Sequence, residues 1–162
     1  MRKRESGFTL IELLIVIAII GILAAIAIPN LLNAVQRGKQ KRSMSDMRAL
    51  ATAVEAYGVD NNVYPNGTAC NPGLFTTGDS LVNLVSFSQL SPTYIASPPR
   101  VDGWGRFYYY GFNPASGNDY LIRSPGRNAV SEVLVCGTTT DFNDDIAYSD
   151  GTFIQWPEGT QR

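Results

Sequence analysis

Residues 8–28 read FTLIELLIVIAIIGILAAIAI, an apolar run interrupted by one ionisable residue, Glu12. As an α-helix rising about 1.5 Å per residue the run is ~31 Å long, the thickness of a bilayer's hydrocarbon core. It is expected to span a membrane. A secretory signal peptide is the plainer alternative, with Ala24, Ala25 and Ala27 imitating its cleavage site. The run is longer than a typical signal core, and it ends in Pro29-Asn30 rather than at a small-residue cut. Glu12 is the residue a bare anchor does not explain, because a carboxylate in an apolar helix is costly unless it is interfacial, protonated or paired.

Outward from the span, Arg2, Lys3 and Arg4 precede it, while Arg37, Lys39, Lys41 and Arg42 follow at short distance. Positive charge inside therefore nearly ties as a guide to topology. Beyond Asn30 the chain turns amphipathic: Met44, Met47, Leu50, Ala51, Val54 and Tyr57 recur at three- and four-residue steps, opposite Arg42, Asp46, Arg48 and Glu55. The spacing predicts one helix over residues 8–58, bent or interrupted at Pro29 and ended by Asp60-Asn61-Asn62 and Tyr64-Pro65. The basic group from Arg37 to Arg42 reads as a solvated or inter-subunit face touching lipid headgroups, with a nucleic-acid patch the weaker alternative.

Residues 66–106 are rich in Gly, Pro, Ser and Thr and read as loop, with a small helix over 81–87 started by Asp79 or Ser80. Asn66-Gly67-Thr68 matches a glycosylation sequon and carries little weight beside this leader. Strands are expected at 107–112, 119–124, 132–136 and, weakly, 152–156, separated by Asn113-Pro114, Gly117-Asn118 and Pro125-Gly126 turns. The result is an α+β fold, a long N-terminal helix packed on a small antiparallel sheet. Tyr108-Tyr109-Tyr110 then reads as strand packing with alternating faces rather than as a binding motif.

A chain of 162 residues, 44% hydrophobic and 17% charged, accommodates one small folded unit and is too apolar to be disordered. Net charge −1 gives no bulk attraction for nucleic acid, and removing the basic leader makes the chain more acidic. There is no histidine, and no Gly-x-Ser-x-Gly or phosphate-binding glycine loop, so catalysis is disfavoured. Cys70 and Cys136 are too far apart for a C-x-x-C site. Outside the cytoplasm they are expected to close a disulfide worth about 4 kcal/mol in the chain-entropy model; two buried free thiols are the alternative.

Asp141-Phe142-Asn143-Asp144-Asp145 spaces oxygen side chains as a calcium loop does. It is not an EF-hand: Ile146 stands where the loop needs glycine and Thr152 where it needs a bidentate glutamate.

The segment Gly7-Phe8-Thr9-Leu10-Ile11-Glu12, after a short basic leader and before an apolar run ending in Pro29, resembles the class III signal of type IV pilins and type II secretion pseudopilins. That resemblance implies a leader, residues 1–7, removed by a prepilin peptidase after Gly7, with the new N-terminus at Phe8 methylated. It implies that Glu12 pairs with the α-amine of Phe8 in a neighbouring subunit of a homopolymer; an interfacial Glu12 is the alternative. It also implies a cytoplasmic N-terminus, residues 8–28 in the inner membrane or polymer core, and residues 59–162 as a periplasmic head.

Tyr64-Pro65, Tyr94-Ile95, Asp102-Gly103-Trp104-Gly105, Ser124-Pro125-Gly126 and Asn143-Asp144-Asp145-Ile146 are similar, in order, to the major-pseudopilin family of type II secretion, the G type. That family implies a calcium site at the acidic loop, here Asp141, Asp144 and Asp145, completed by backbone carbonyls; a solvated Asx-rich turn is the alternative. Gly103 departs from the family's usual proline, and Gly137-Thr138-Thr139-Thr140-Asp141 from its Gly-x-Asp-Gly turn. The expected function is a periplasmic fibre driving protein secretion, with minor pseudopilins, an inner-membrane assembly platform and membrane lipid as partners. A subunit of a surface pilus for adhesion, motility or DNA uptake is the alternative. A tethered enzyme and a non-polymerising binding module are weaker readings, and the second leaves Glu12 and the leader unexplained.

Overall fold

Helix α1 starts where its sequence caps it. The computed structural model describes residues 7–65, 82–83, 89–112, 119–131 and 134–158. In it α1 runs Leu10–Asn61 with Pro29 inside it, so the helix is not interrupted there. Proline forfeits one N–H and crowds one carbonyl. Among flanking isoleucine, leucine and alanine the helix survives that loss. It ends beyond Gly58 because Asn62 takes φ 55°, the left-handed conformation that asparagine tolerates at a helix C-terminus.

The chain divides into two compact units, Met1–Val35 and Gln36–Arg162. In the first, the apolar side chains lie exposed along the helix; Phe8 is 76% and Ile26 64% accessible. The second carries one sheet: β1 Val82–Asn83, β2 Tyr109–Phe112, β3 Tyr120–Ser124, β4 Gly137–Thr139, β5 Ile146–Ser149 and β6 Thr152–Pro157. Among the described residues the strand order is β1-β2-β3-β5-β6-β4. All pairs are antiparallel except β4 on β6, which is parallel.

The helix stripe read from the sequence is the core. Met47, Leu50, Ala51 and Val54 are buried against Tyr108, Tyr110, Tyr120, Ile122, Ile146 and Tyr148, with Met44 and Tyr57 at its edge. Tyr109, between two buried tyrosines, is only partly covered, as strand alternation requires. Leu121, Leu134 and Ala147 form a smaller cluster with Ile154. Arg48 and Glu55, expected to face away, both touch the sheet. The Arg48 guanidinium lies 5.1 Å from the Phe153 ring centroid, and Glu55 accepts the Tyr120 hydroxyl. Each flanks the buried stripe, and each has the reach to lay an aliphatic stem on it.

Three expectations are corrected. Val82–Asn83 pairs with β2 as a strand where a helix over 81–87 was expected, the backbone answering the open β2 edge rather than a local cap. A strand at 132–136 does not form over its described residues 134–136. Cys136 at φ 54° and Gly137 at φ 115° break the extended chain, and β4 begins only beyond. Finally β5, not foreseen, is the second central strand, pairing with both β3 and β6. The Pro125-Gly126 turn is present; the other two expected turns, the sequon and Cys70 lie outside the described residues. Cys136 is exposed and bonded to no described residue, so the expected pairing has only one of its two members in view.

Candidate functional site

Two constellations carry the sequence-predicted site residues, one in each unit. In the first, Thr9 stands just before the helix and Glu12 at its third position. Thr9 N–H and Oγ1 both donate to Glu12 Oε2, at 2.8 and 2.7 Å, and Glu12 N–H donates to Thr9 Oγ1 at 3.3 Å. This is a reciprocal capping box, satisfying two of the helix's orphan donors. The pattern Thr-x-x-Glu was in the sequence and sequence reasoning passed over it, weighing for Glu12 only a neighbour's amine or an interfacial position. Gly7 and Phe8 are exposed, as a cleavage site and a new terminus would need to be.

The second is the acidic loop. Asp141 Oδ1 accepts Asn143 N–H at 2.9 Å, and Asp144 Oδ2 accepts Asp141 N–H at 3.3 Å, so two of the three candidate carboxylates bind their own turn. Asp145 turns inward instead. Its carboxylate is fully buried and meets both Nε and Nη2 of Arg123, itself buried on β3. Its carbonyl accepts Gln155 Nε2 from β6 at 2.9 Å.

The turn after β3 closes the loop from the other side. Arg127 N–H donates to the Phe142 carbonyl at 3.0 Å, and Arg127 Nε to Asn143 Oδ1 at 2.9 Å. Gly126 has φ 65°, and a Cβ there would fall 2.6 Å from the Asn143 carbonyl oxygen and 2.7 Å from that of Asp144. Only glycine fits on both grounds.

These side chains do not fit a calcium ion. Among the described residues no group of three His, Cys, Asp or Glu side chains converges as a metal shell does. The expected ligands Asp141, Asp144 and Asp145 diverge, two into the turn and one onto a guanidinium. Calcium demands several oxygens at about 2.3–2.6 Å.

The Asp102-Gly103-Trp104-Gly105 segment docks on the second half of α1. Buried Asp102 accepts Trp104 N–H at 2.8 Å, Arg106 N–H at 2.9 Å and the Ser124 hydroxyl at 2.7 Å. Gly103 N–H donates to Ser43 Oγ at 2.9 Å, and Trp104 Nε1–H to Gln36 Oε1 at 2.7 Å. A Cβ at 103 would lie 2.3 Å from the Lys39 carbonyl oxygen. Proline there would lack the donor and carry the clash, so the departure at Gly103 has a local cause.

A capped apolar helix with a carboxylate in its first turn, long and apolar enough to cross a membrane and continuing as the core stripe of a sheet-bearing unit, defines the class: a subunit of the type IV pilin kind. The chain matches the prokaryotic N-terminal methylation motif over residues 2–28. It matches the model for type II secretion system protein G over residues 30–134, a span that stops short of the acidic loop. It is 33% identical over 147 residues to the type II secretion system core protein G of Escherichia coli K12, covering 88% of this chain and 90% of that one. It is likewise 33% identical to that of Aeromonas hydrophila, over 89% and 90% of the two chains, and 32% identical to that of Vibrio cholerae, over 83% and 82%. No solved structure gives a significant match. The chain belongs to the type II secretion system protein G family.

Proposed function

We propose that this chain is a structural subunit that polymerises into a type IV pilus-like fibre, the pseudopilus of type II secretion, and works by assembly rather than by catalysis. The observation that carries this is the exposed apolar surface of the first unit. An area of that kind is stable in lipid or against copies of itself, and not in water. In lipid it anchors the unassembled subunit. In the fibre the same side chains bury one another, with Gly21 and the alanines near it allowing close helix approach.

On this reading a prepilin peptidase removes residues 1–7 and methylates the new terminus, and the leader stays in the cytoplasm while the head crosses to the periplasm. The freed amine of Phe8 is then a cation beside the first turn of a neighbouring helix. Both capping bonds to Thr9 fall on Oε2 of Glu12, and Oε1 takes part in neither. A carboxylate can thus cap its own helix and accept the neighbour's amine, which sets axial register in a low-dielectric core. Minor pseudopilins and an inner-membrane assembly platform are the partners that such a fibre requires.

The test is deletion of the gene, with the extracellular and periplasmic proteomes compared and the cells inspected for surface fibres. Secreted proteins retained in the periplasm, with surface fibres intact, are the expected result. Loss of surface fibres with secretion unchanged would overturn it in favour of a pilus subunit.

A further inference from the structure

We propose that Arg123 does in this chain what a bound calcium ion would do at the acidic loop: it holds the loop to the sheet, so that the head is stable without a divalent cation. The loop carries three carboxylates within five residues, Asp141, Asp144 and Asp145, and repulsion among them must be offset. Two guanidinium groups are already there. Arg123, next to the last residue of β3, meets Asp145 through two nitrogens with both side chains almost wholly buried. Arg127, from the following turn, donates to Asn143 Oδ1.

An arginine cannot give up its proton to make way for a metal, because its guanidinium stays charged across the whole range in which proteins fold. A divalent ion ligated by Asp145 would therefore sit beside a buried cation, with little water between them to screen the repulsion. One backbone oxygen of the loop is engaged as well: the Phe142 carbonyl accepts Arg127 N–H. Buried Phe142 and the Gln155 bond to the Asp145 carbonyl anchor the same five residues by means that need no ion.

The experiment uses the full chain in detergent, its thermal unfolding followed by circular dichroism. Unfolding is compared in a calcium chelator and in about 5 mM calcium chloride, a concentration above the roughly 10⁻³ M reach of weak extracellular calcium sites. The expected result is the same midpoint in both. An Arg123→Met variant leaves Asp145 buried beside no guanidinium and is expected to melt about 10 °C lower or more. The double variant Arg123→Met/Asp145→Asn is expected to recover part of that loss, because the uncompensated charge is gone. A wild-type midpoint that rises by several degrees with calcium and falls again with chelator would overturn the proposal, even if the variants fail to fold. So would an Arg123→Met chain that melts with the wild type.

Discussion

Thr9 and Glu12 make a residue-scale prediction, because one carboxylate is given two tasks that separate variants can divide. Thr9→Val keeps the β-branched shape and removes the hydroxyl that exchanges bonds with Glu12. Glu12→Gln keeps an oxygen for the Thr9 N–H and removes the charge that a neighbour's amine needs. If Glu12 acts between subunits, Glu12→Gln lowers the yield of sedimentable fibre by about tenfold or more, as expected when a charge is left without its partner in an apolar setting. Thr9→Val then lowers it only a few-fold, the size of effect expected of one lost cap. Equal losses in the two variants would assign Glu12 to the cap alone.

At the scale of elements, what was legible depended on how far a pattern extends. Helix α1 was readable because an apolar run and then a stripe of apolar residues repeat over dozens of positions. Strand β5 was not, since Asn143-Asp144-Asp145-Ile146 drew attention as a ligand pattern, and the four residues of β5 are too few to announce a period. The missed signal was Asp150-Gly151, whose φ values of 47° and 84° make the two-residue hairpin turn joining Ser149 to Thr152. Had that turn been read first, Ile146–Ser149 would have followed as its inner strand. Gly151→Ala tests the assignment. A Cβ there would meet nothing closer than Glu55 Oε1 at 3.9 Å, so the cost is conformational rather than steric. It should be about 1–2 kcal/mol in urea unfolding. Val59→Ala, at an exposed helix position, should change stability by about 0.5 kcal/mol or less. A Gly151→Ala chain as stable as wild type would remove the left-handed turn.

For the molecule as a whole, the N-terminal methylation motif could be read from a contiguous stretch, whereas the fate of the acidic loop could not. Arg123 is one cation in an expected strand, and nothing local marks it as buried. It becomes so because β2 and β5 pair along both edges of β3. The α1 stripe packs with Tyr120 and Ile122, while the smaller cluster of Leu134, Ala147 and Ile154 packs with Leu121, on the face that alternation gives to Arg123. The buried core gives the head its response to pH. Burial, more than any neighbour, pushes the phenols of Tyr108, Tyr110 and Tyr120 well above the ordinary tyrosine range. The Asp46 carboxylate adds to the shift at Tyr108, and the hydrogen bond to Glu55 adds to it at Tyr120. In the unfolded chain these groups ionise near pH 10. Above that pH the folded head still holds three protons that the unfolded chain has released. Stability is therefore fully present below about pH 10 and falls as pH rises beyond it, by about 4 kcal/mol per pH unit for three groups. Against a typical net stability of about 5–15 kcal/mol, the head should unfold within roughly one to four units above pH 10. Tyrosinate absorbance and circular dichroism recorded together check this. The last tyrosinate signal should appear in step with the loss of ellipticity, and full ionisation near pH 10 with the fold intact would show that these phenols are not sealed in the core.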